Sequence, residues 1–177
     1  MVSGPTMDLG PCVINFKAAD LGATHGRVIF RYSEQDAPVY EDQLGVGEVD
    51  AILVGSRCEA EVPLTRMALA NLSGLIAGAT GSGTDMATGA MTVKSAVGTS
   101  RYDHAGELIL KPVLLNGAAN PDKTTWLHIF KASARPDFEI GYDNEGQRVY
   151  KVIFHGFPDQ SGTGPKYQSW RIGPAVV

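Results

Sequence analysis

The sequence predicts a mainly β protein, a β-barrel or sandwich with one flanking α-helix and long loops. Three observations predict this fold class. In several short segments apolar residues alternate with other residues, as in strands with one buried face. The 21 glycines and 10 prolines fall at short intervals, which is typical of many turns. Only one segment places its apolar residues at helical spacing.

The length of 177 residues suits a single domain, 1–177. Two strands are predicted near the N-terminus, at 12–17 (CVINFK) and 27–32 (RVIFRY). The sequence GATHG at 22–26 predicts a turn between them.

A polar and acidic segment follows at 33–47 (SEQDAPVYEDQLGVG). Its proline and two glycines favour a long connecting loop, with at most a short edge strand at Val39 and Tyr40. Connections of this length usually have a function.

The next segment, 48–64, reverses its alternation along its length. In the first half the acids Glu48 and Asp50 oppose an apolar face, and in the second half Glu59 and Glu61 do so with the opposite parity. Because a slip of one residue moves every side chain to the other face, the reversal requires a β-bulge or a crossing between two sheets. Gly55 lies where either would occur.

The predicted helix covers about 12 residues. Thr65 is a candidate N-cap, and Gly74 and Gly78 mark the end. Its apolar stripe consists of Met67, Leu69, Leu72, Leu75 and Ile76. We expect this helix to cover one open side of the barrel.

The segment 79–100 is rich in Gly, Ala, Thr and Ser, which predicts a flexible loop or arm. Strands are then predicted at 106–115, 124–132, 138–142, 148–157 and 168–172, with a hairpin turn at 143–146.

The charge is distributed unevenly. Residues 34–61 contain eight acids and one base, Arg57, so the charge of this segment is −7. Because the net charge of the chain is −4, the rest of the chain carries +3. The segment is either a solvated acidic face or a surface that repels anions or binds a basic partner. Specific nucleic-acid binding is disfavoured because no basic stripe with interleaved aromatic residues occurs.

Catalytic motifs are missing from the sequence. The histidines His25, His104, His128 and His155 lack metal-ligand spacing, and neither HExxH nor GxSxG is present. His128 and His155 fall within predicted strands, where a hydrogen-bonded structural role is favoured. Cys12 and Cys58 form no CxxC pair and are interpreted as thiols of a cytosolic protein. We therefore expect no enzyme activity, cofactor or metal, and also no signal peptide or membrane segment.

Short patterns occur in a characteristic order along nearly the whole chain. A strand follows the GATHG turn, and the acidic segment after it ends in DQLG at 42–45. The helix is preceded by EVDAILVG and then EAEVPLT. Near the C-terminus the chain has VYKVIFHGFPD at 149–159 and RIG at 171–173. In this order the chain resembles the major tail tube proteins of long-tailed, siphophage-type bacteriophages.

The resemblance implies a structural virion protein of the tail, assembled in the host cytoplasm. Six subunits would form a ring, and stacked rings would form a hollow tube around a tape-measure protein. The tube would contact a tail terminator and tail-tip or baseplate proteins. Phage DNA would pass through the lumen without specific binding.

Candidate site residues follow from the same resemblance. The loop at 33–47 is the candidate ring-stacking loop, with Glu34, Asp36, Glu41 and Asp42, and 79–100 is a candidate arm that orders on a neighbour. The candidate lumen-facing acids are Glu48, Asp50, Glu59 and Glu61. Negative charge there would keep DNA phosphates from attaching to the wall.

Two classes of alternative stay open. The first is a related ring protein, such as the tube of a contractile tail or secretion system, or a tail terminator. The second is a β-sandwich that binds carbohydrate or a host surface, which would need clustered exposed aromatic side chains and would stay small in gel filtration.

Overall fold

The computed structural model describes residues 9–40, 48–65, 69–77, 79–80, 91–94, 97–136, 149–160 and 167–174. The described residues contain ten strands, one short α-helix and a 3-10 turn at Lys123–Thr125. In chain order the elements are β1 (Leu9–Phe16), β2 (Ala19–Asp20), β3 (Ile29–Tyr40), β4 (Glu48–Leu64), α1 (Leu69–Leu75), β5 (Ala79–Thr80), β6 (Thr92–Val93), β7 (Gly106–Val113), β8 (Leu127–Pro136), β9 (Tyr150–Phe157) and β10 (Trp170–Ile172).

Eight strands form one antiparallel sheet in the order β2-β1-β7-β8-β9-β4-β3, with β10 paired to β8. The strands β5 and β6 form a separate two-stranded ribbon. The predicted fold class, mainly β with one flanking helix, is confirmed.

One face of the large sheet forms the core. Its side chains alternate along each strand: Cys58, Ala60, Val62 and Leu64 in β4, and Val152 and Phe154 in β9, are all buried. The ring centroids of Phe16 in β1 and Phe154 are 5.2 Å apart, although β7 and β8 separate their strands in the sheet. The sheet therefore curves until its core face closes on itself, which gives a sandwich-like arrangement.

The predicted loop at 33–47 is wrong for its first half, because residues 33–40 continue β3. Backbone pairing with β4 along the whole length of β3 supplies the ladder, so this part of the strand forms without a buried face. Pro38 is tolerated because β3 is the edge strand among the described strands, so one side of its ladder has no described partner. Residues 41–47, which include Glu41 and Asp42, lie outside the described residues.

The helix α1, Leu69–Leu75, confirms the central part of the predicted helix; residues 66–68 and 78 lie outside the described part of the chain. It packs against β8 and buries Leu75. The amide of Asn71 donates to the Asp20 carbonyl at 2.6 Å, which ties α1 to β2. The hydroxyl of Thr65, the candidate N-cap, donates to the Ala23 carbonyl at 3.2 Å. No helix among the described residues is long and apolar enough to span a membrane.

The C-terminal strand predictions at 106–115, 124–132, 148–157 and 168–172 are confirmed as β7 to β10, with shifted ends. The predicted strand at 138–142 and turn at 143–146 lie outside the described residues, as does most of 79–100.

Candidate functional site: a projecting hairpin and an arginine-lined pocket

The hairpin of β3 and β4 extends beyond the rest of the sheet. Strand β9 pairs with β4 only from Cys58 to Leu64, so 48–56 has β3 as its one partner among the described strands. We call residues 33–40 and 48–56 the β3–β4 arm. At about 3.3 Å per residue, eight residues give the arm a length of about 25 Å.

Both faces of the arm are exposed to solvent. Of its described residues, Val39 and Gly55 are half-buried and the others are exposed. Its large apolar side chains are far more exposed than core residues: Tyr40 60%, Val49 45%, Ile52 59%, Leu53 54% and Val54 64%. Apolar surface concentrated in this way marks an interaction surface.

The arm is also acidic. Its described residues include Glu34, Asp36, Glu48 and Asp50 and no basic residue. The Tyr32 hydroxyl donates to Glu34 at 2.7 Å, and the Asp50 carboxylate accepts the Ala51 backbone N–H at 2.8 Å. The arm therefore combines exposed apolar surface with charge of one sign.

A β-bulge at Val54 explains the reversed alternation of β4. Gln35 pairs with Gly55 and Asp36 pairs with Leu53, so Val54 has no position opposite it. Of the two predicted alternatives near Gly55, a bulge or a crossing between sheets, the structure has the bulge.

A second bulge at Val49 separates two acids that the sequence placed together. Glu48 pairs with Tyr40, whereas Asp50 pairs with Val39. Because neighbouring residues of β3 point to opposite faces, so do Glu48 and Asp50. The prediction that these two acids share a face is wrong, since the alternation alone does not reveal the extra residue.

The register assigns every acid to a face. Tyr32 pairs with the buried Cys58, so the even-numbered residues of β3 lie on the core side of the hairpin. The core-side face of the arm therefore carries Glu34, Asp36 and Glu48. The outer face carries Asp50 and continues along β4 into Glu59 and Glu61.

Glu59 and Glu61 are paired with cations. Glu61 accepts from Arg31 at 2.9 Å and Lys151 at 2.8 Å, and these hydrogen bonds lower the pKa of its carboxyl. Glu59 contacts Arg57 and lies 2.9 Å from Nδ1 of His155. Two of the four candidate lumen-facing acids are thus compensated within the subunit, whereas Glu48 and Asp50 lie on the arm.

Aromatic packing fixes the base of the arm. The ring of Trp170 in β10 meets Phe30 and Tyr32 edge-on, with centroids 5.2 Å and 5.3 Å away. Both contacts lie on the core side of β3. A strand close to the C-terminus therefore holds the hairpin where it leaves the sheet.

An arginine-lined pocket of about 520 Å³ opens beside the base of the arm. Arg57 from β4, Arg135 from β8 and Arg101 from the turn before β7 surround His155 of β9. We call these three residues the arginine cluster. The rest of the pocket is lined by Ser56, Ser133, Gly156, Phe157 and Pro158.

Hydrogen bonds determine the state of His155. Arg135 Nη1 lies 3.0 Å from Nε2, and because a guanidinium only donates, Nε2 accepts. Nδ1 lies 2.9 Å from Glu59 and 3.4 Å from Arg57 Nη2. Because the carboxylate is the nearer partner and Nε2 accepts, Nδ1 carries the proton and donates to Glu59. Burial lowers the pKa of His155, Glu59 opposes this, and Arg135, Arg57 and Arg101 lower it further. The lowered pKa keeps the imidazole neutral at neutral pH, and Arg135 occupies Nε2, the nitrogen that a general base would use.

Of the other candidate reactive groups, His25 and His104 are exposed, whereas His128 is paired and the two cysteines are partly or fully buried. His128 contacts Glu107 at 2.9 Å, and both His128 and His155 lie in strands and are hydrogen-bonded, as predicted. Burial raises the pKa of the Cys12 and Cys58 thiols to about 11, so neither is a thiolate at neutral pH. In the described part of the chain no three His, Cys, Asp or Glu side chains are placed to hold a metal ion.

Sequence reasoning missed the arginine cluster. Its members lie 34 or more positions apart, on separate elements, and no local spacing joins them. The exposed arm was missed because its apolar residues resemble a buried strand in the sequence.

Comparison with known proteins adds no identification: no protein-family model and no curated protein matches the chain.

Proposed function

We propose that this chain is a structural subunit that self-assembles, through rings of six copies, into the hollow tail tube of a bacteriophage. In this proposal the tube forms around a tape-measure protein and ends at terminator and tail-tip proteins. Phage DNA passes through its lumen without specific binding.

The β3–β4 arm is the observation that carries the proposal. A two-stranded ribbon exposed on both faces is marginally stable in water by itself. Covering Ile52, Leu53 and Val54 with another subunit would stabilise it by removing apolar surface from water. An arm of this kind therefore suits a chain whose final state is an assembly.

Open sheet edges give the proposal a second support. Among the described strands the sheet ends at β3 on one side, and on the other side β2 pairs with only Asn15 and Phe16 of β1. Soluble monomers usually block long free edges, because unpaired backbone groups template further pairing. Strand pairing between neighbours would remove both edges and continue one sheet around a ring.

The charges are compatible with a conduit for DNA. The arm is acidic and would not hold phosphates, and screening limits its repulsion to about 8 Å at physiological ionic strength. Glu59 and Glu61 contribute less, because Arg31, Lys151 and Arg57 compensate them.

Electron microscopy of negatively stained protein at rising concentration tests the proposal. We expect rings with sixfold symmetry and hollow tubes of uniform diameter. Small globular particles at every concentration, also after addition of a tail-tip complex, would refute it. Solid fibres without a lumen would support self-assembly but refute the proposal of a hollow tube.

A further inference from the structure

We propose that the arginine-lined pocket binds the acidic, core-side face of the β3–β4 arm of a second copy of this chain. The inference rests on the proposed self-assembly and names the contact that would direct it.

The pocket presents fixed positive charge. Arg101 Nη1 donates to the Ala134 carbonyl at 3.0 Å, Arg135 is held by His155, and Arg57 contacts Glu59. Three guanidinium groups therefore face one carboxylate and a neutral imidazole. Because each guanidinium has five N–H donors, these contacts leave donors for incoming carboxylates, and the anchored side chains lose little entropy on binding.

The arm presents a matching set of acids. Glu34, Asp36 and Glu48 share its core-side face and follow one another along the hairpin, since Glu48 lies opposite Tyr40. Carboxylates of this row can accept hydrogen bonds from the guanidinium groups that line the pocket. Leu53 pairs with Asp36 and Tyr40 pairs with Glu48, which places apolar side chains beside two of the acids. Phe157 and Pro158 give the pocket an apolar wall that these side chains can contact.

The occupant must come from another molecule. Ser56 and Arg57, which line the pocket, lie at the base of the arm itself. The arm continues β3 and β4 beyond the last pair with β9, so Asp36, opposite Leu53, and Glu48 lie four or more positions along the hairpin from Arg57. An arm bound in the pocket of a second copy makes a head-to-tail contact, and contacts of this kind generate closed rings or filaments.

Charge reversal on each side tests the contact. One variant carries Arg101→Glu and Arg135→Glu, the second carries Asp36→Lys and Glu48→Lys, and the third carries all four substitutions. Sedimentation velocity gives the concentration at which each assembles. We expect both two-site variants to require at least a tenfold higher concentration than the natural chain and the four-site variant to recover most of that loss.

Controls separate folding from contact. Arg27→Glu makes the same type of substitution at one exposed residue near the far end of β4, with half the change of charge of the pocket variant, and we expect unchanged assembly. Arg101→Gln and Arg135→Gln, at two exposed residues, remove the positive charges without adding a carboxylate, and near-ultraviolet circular dichroism checks the fold of every variant. A pocket variant that folds and assembles like the natural chain would overturn the inference.

The outcomes distinguish this inference from the proposed function. If a folded arginine variant still forms tubes, the result supports the proposed tube function and refutes the pocket contact. A natural chain that never assembles would refute both. Retention of a DNA duplex by the natural chain but not by the arginine variant, with unchanged assembly, would assign the pocket to nucleic acid and overturn the inference.

Discussion

Gly156 of β9 lies where a side chain has no room. A Cβ atom there would be 2.2 Å from Cys58 Sγ and 2.8 Å from Ile129 Cγ2, and both contacts belong to buried core residues. We expect Gly156→Ala to lower the free energy of unfolding by about 1–3 kcal/mol, as overpacking of cores does. Unfolding in urea measures this change in the free energy of unfolding. Gly10→Ala, which meets nothing within 4 Å, is the matched control, and equal effects would contradict the packing described for Gly156.

His155 makes stability depend on pH. Burial lowers its pKa in the folded protein below the ordinary 6.5, with Arg135, Arg57 and Arg101 adding to this against Glu59. The unfolded chain then binds the proton more readily, so stability is complete above 6.5 and decreases as pH falls towards the folded pKa.

Unfolding experiments between pH 8 and 5 check this expectation, and His155→Gln should reduce the loss of stability on acidification. A His155 pKa above 6.5, measured by NMR titration of the folded protein, would contradict it.

At the level of elements, the turn between β1 and β2 is strained. Its two central residues, Lys17 and Ala18, have φ values of 49° and 66°. This region favours glycine because a Cβ atom crowds the backbone there. We expect Ala18→Gly to raise the free energy of unfolding by about 0.5–1 kcal/mol. Ala105→Gly, where φ is not positive, should lower it, and a loss at both positions would contradict the strain.

The arm should affect assembly more than folding. Ile52 and Leu53 point to opposite faces of the arm and are both more than half exposed. We expect Ile52→Ser with Leu53→Ser to raise the assembly concentration at least tenfold, since burying each side chain contributes about 1.5–3 kcal/mol.

Thermal unfolding of the unassembled subunit should change little in this variant. Sedimentation velocity gives the assembly concentration, and Val97→Ser, at a side chain that is 95% exposed outside the arm, is the control. An equal effect of Val97→Ser would contradict a specific role of the arm.

Elements with a buried face were predictable from the sequence. The alternation in β4 identified both its core side and the bulge near Gly55. Residues 33–40 were not predictable in this way, because backbone pairing rather than burial keeps them extended. The bulge at Val49 was also invisible, so the faces of Glu48 and Asp50 required the register.

For the whole molecule, the uneven distribution of charge along the chain was predictable from the sequence, but the positions of the charged surfaces in the fold were not. The acids of the arm lie on a projecting ribbon, whereas the arginine cluster joins three elements beside its base. Long-range pairing of β4 with β9 and of β8 with β9 creates the pocket, and no local pattern encodes it. Each copy thus carries an acidic and a basic surface at different places, and two different complementary surfaces are what a head-to-tail contact uses.

Hydrogen exchange of backbone amides, compared between dispersed subunits and the assembled protein, tests the central claim that the β3–β4 arm is the assembly surface. We predict fast exchange of residues 33–40 and 48–56 in the dispersed subunit and strong protection on assembly, while core amides such as those of Val62 and Phe154 are protected in both states. Protection that appears on assembly at other surfaces, with the arm still exchanging fast, would contradict the claim.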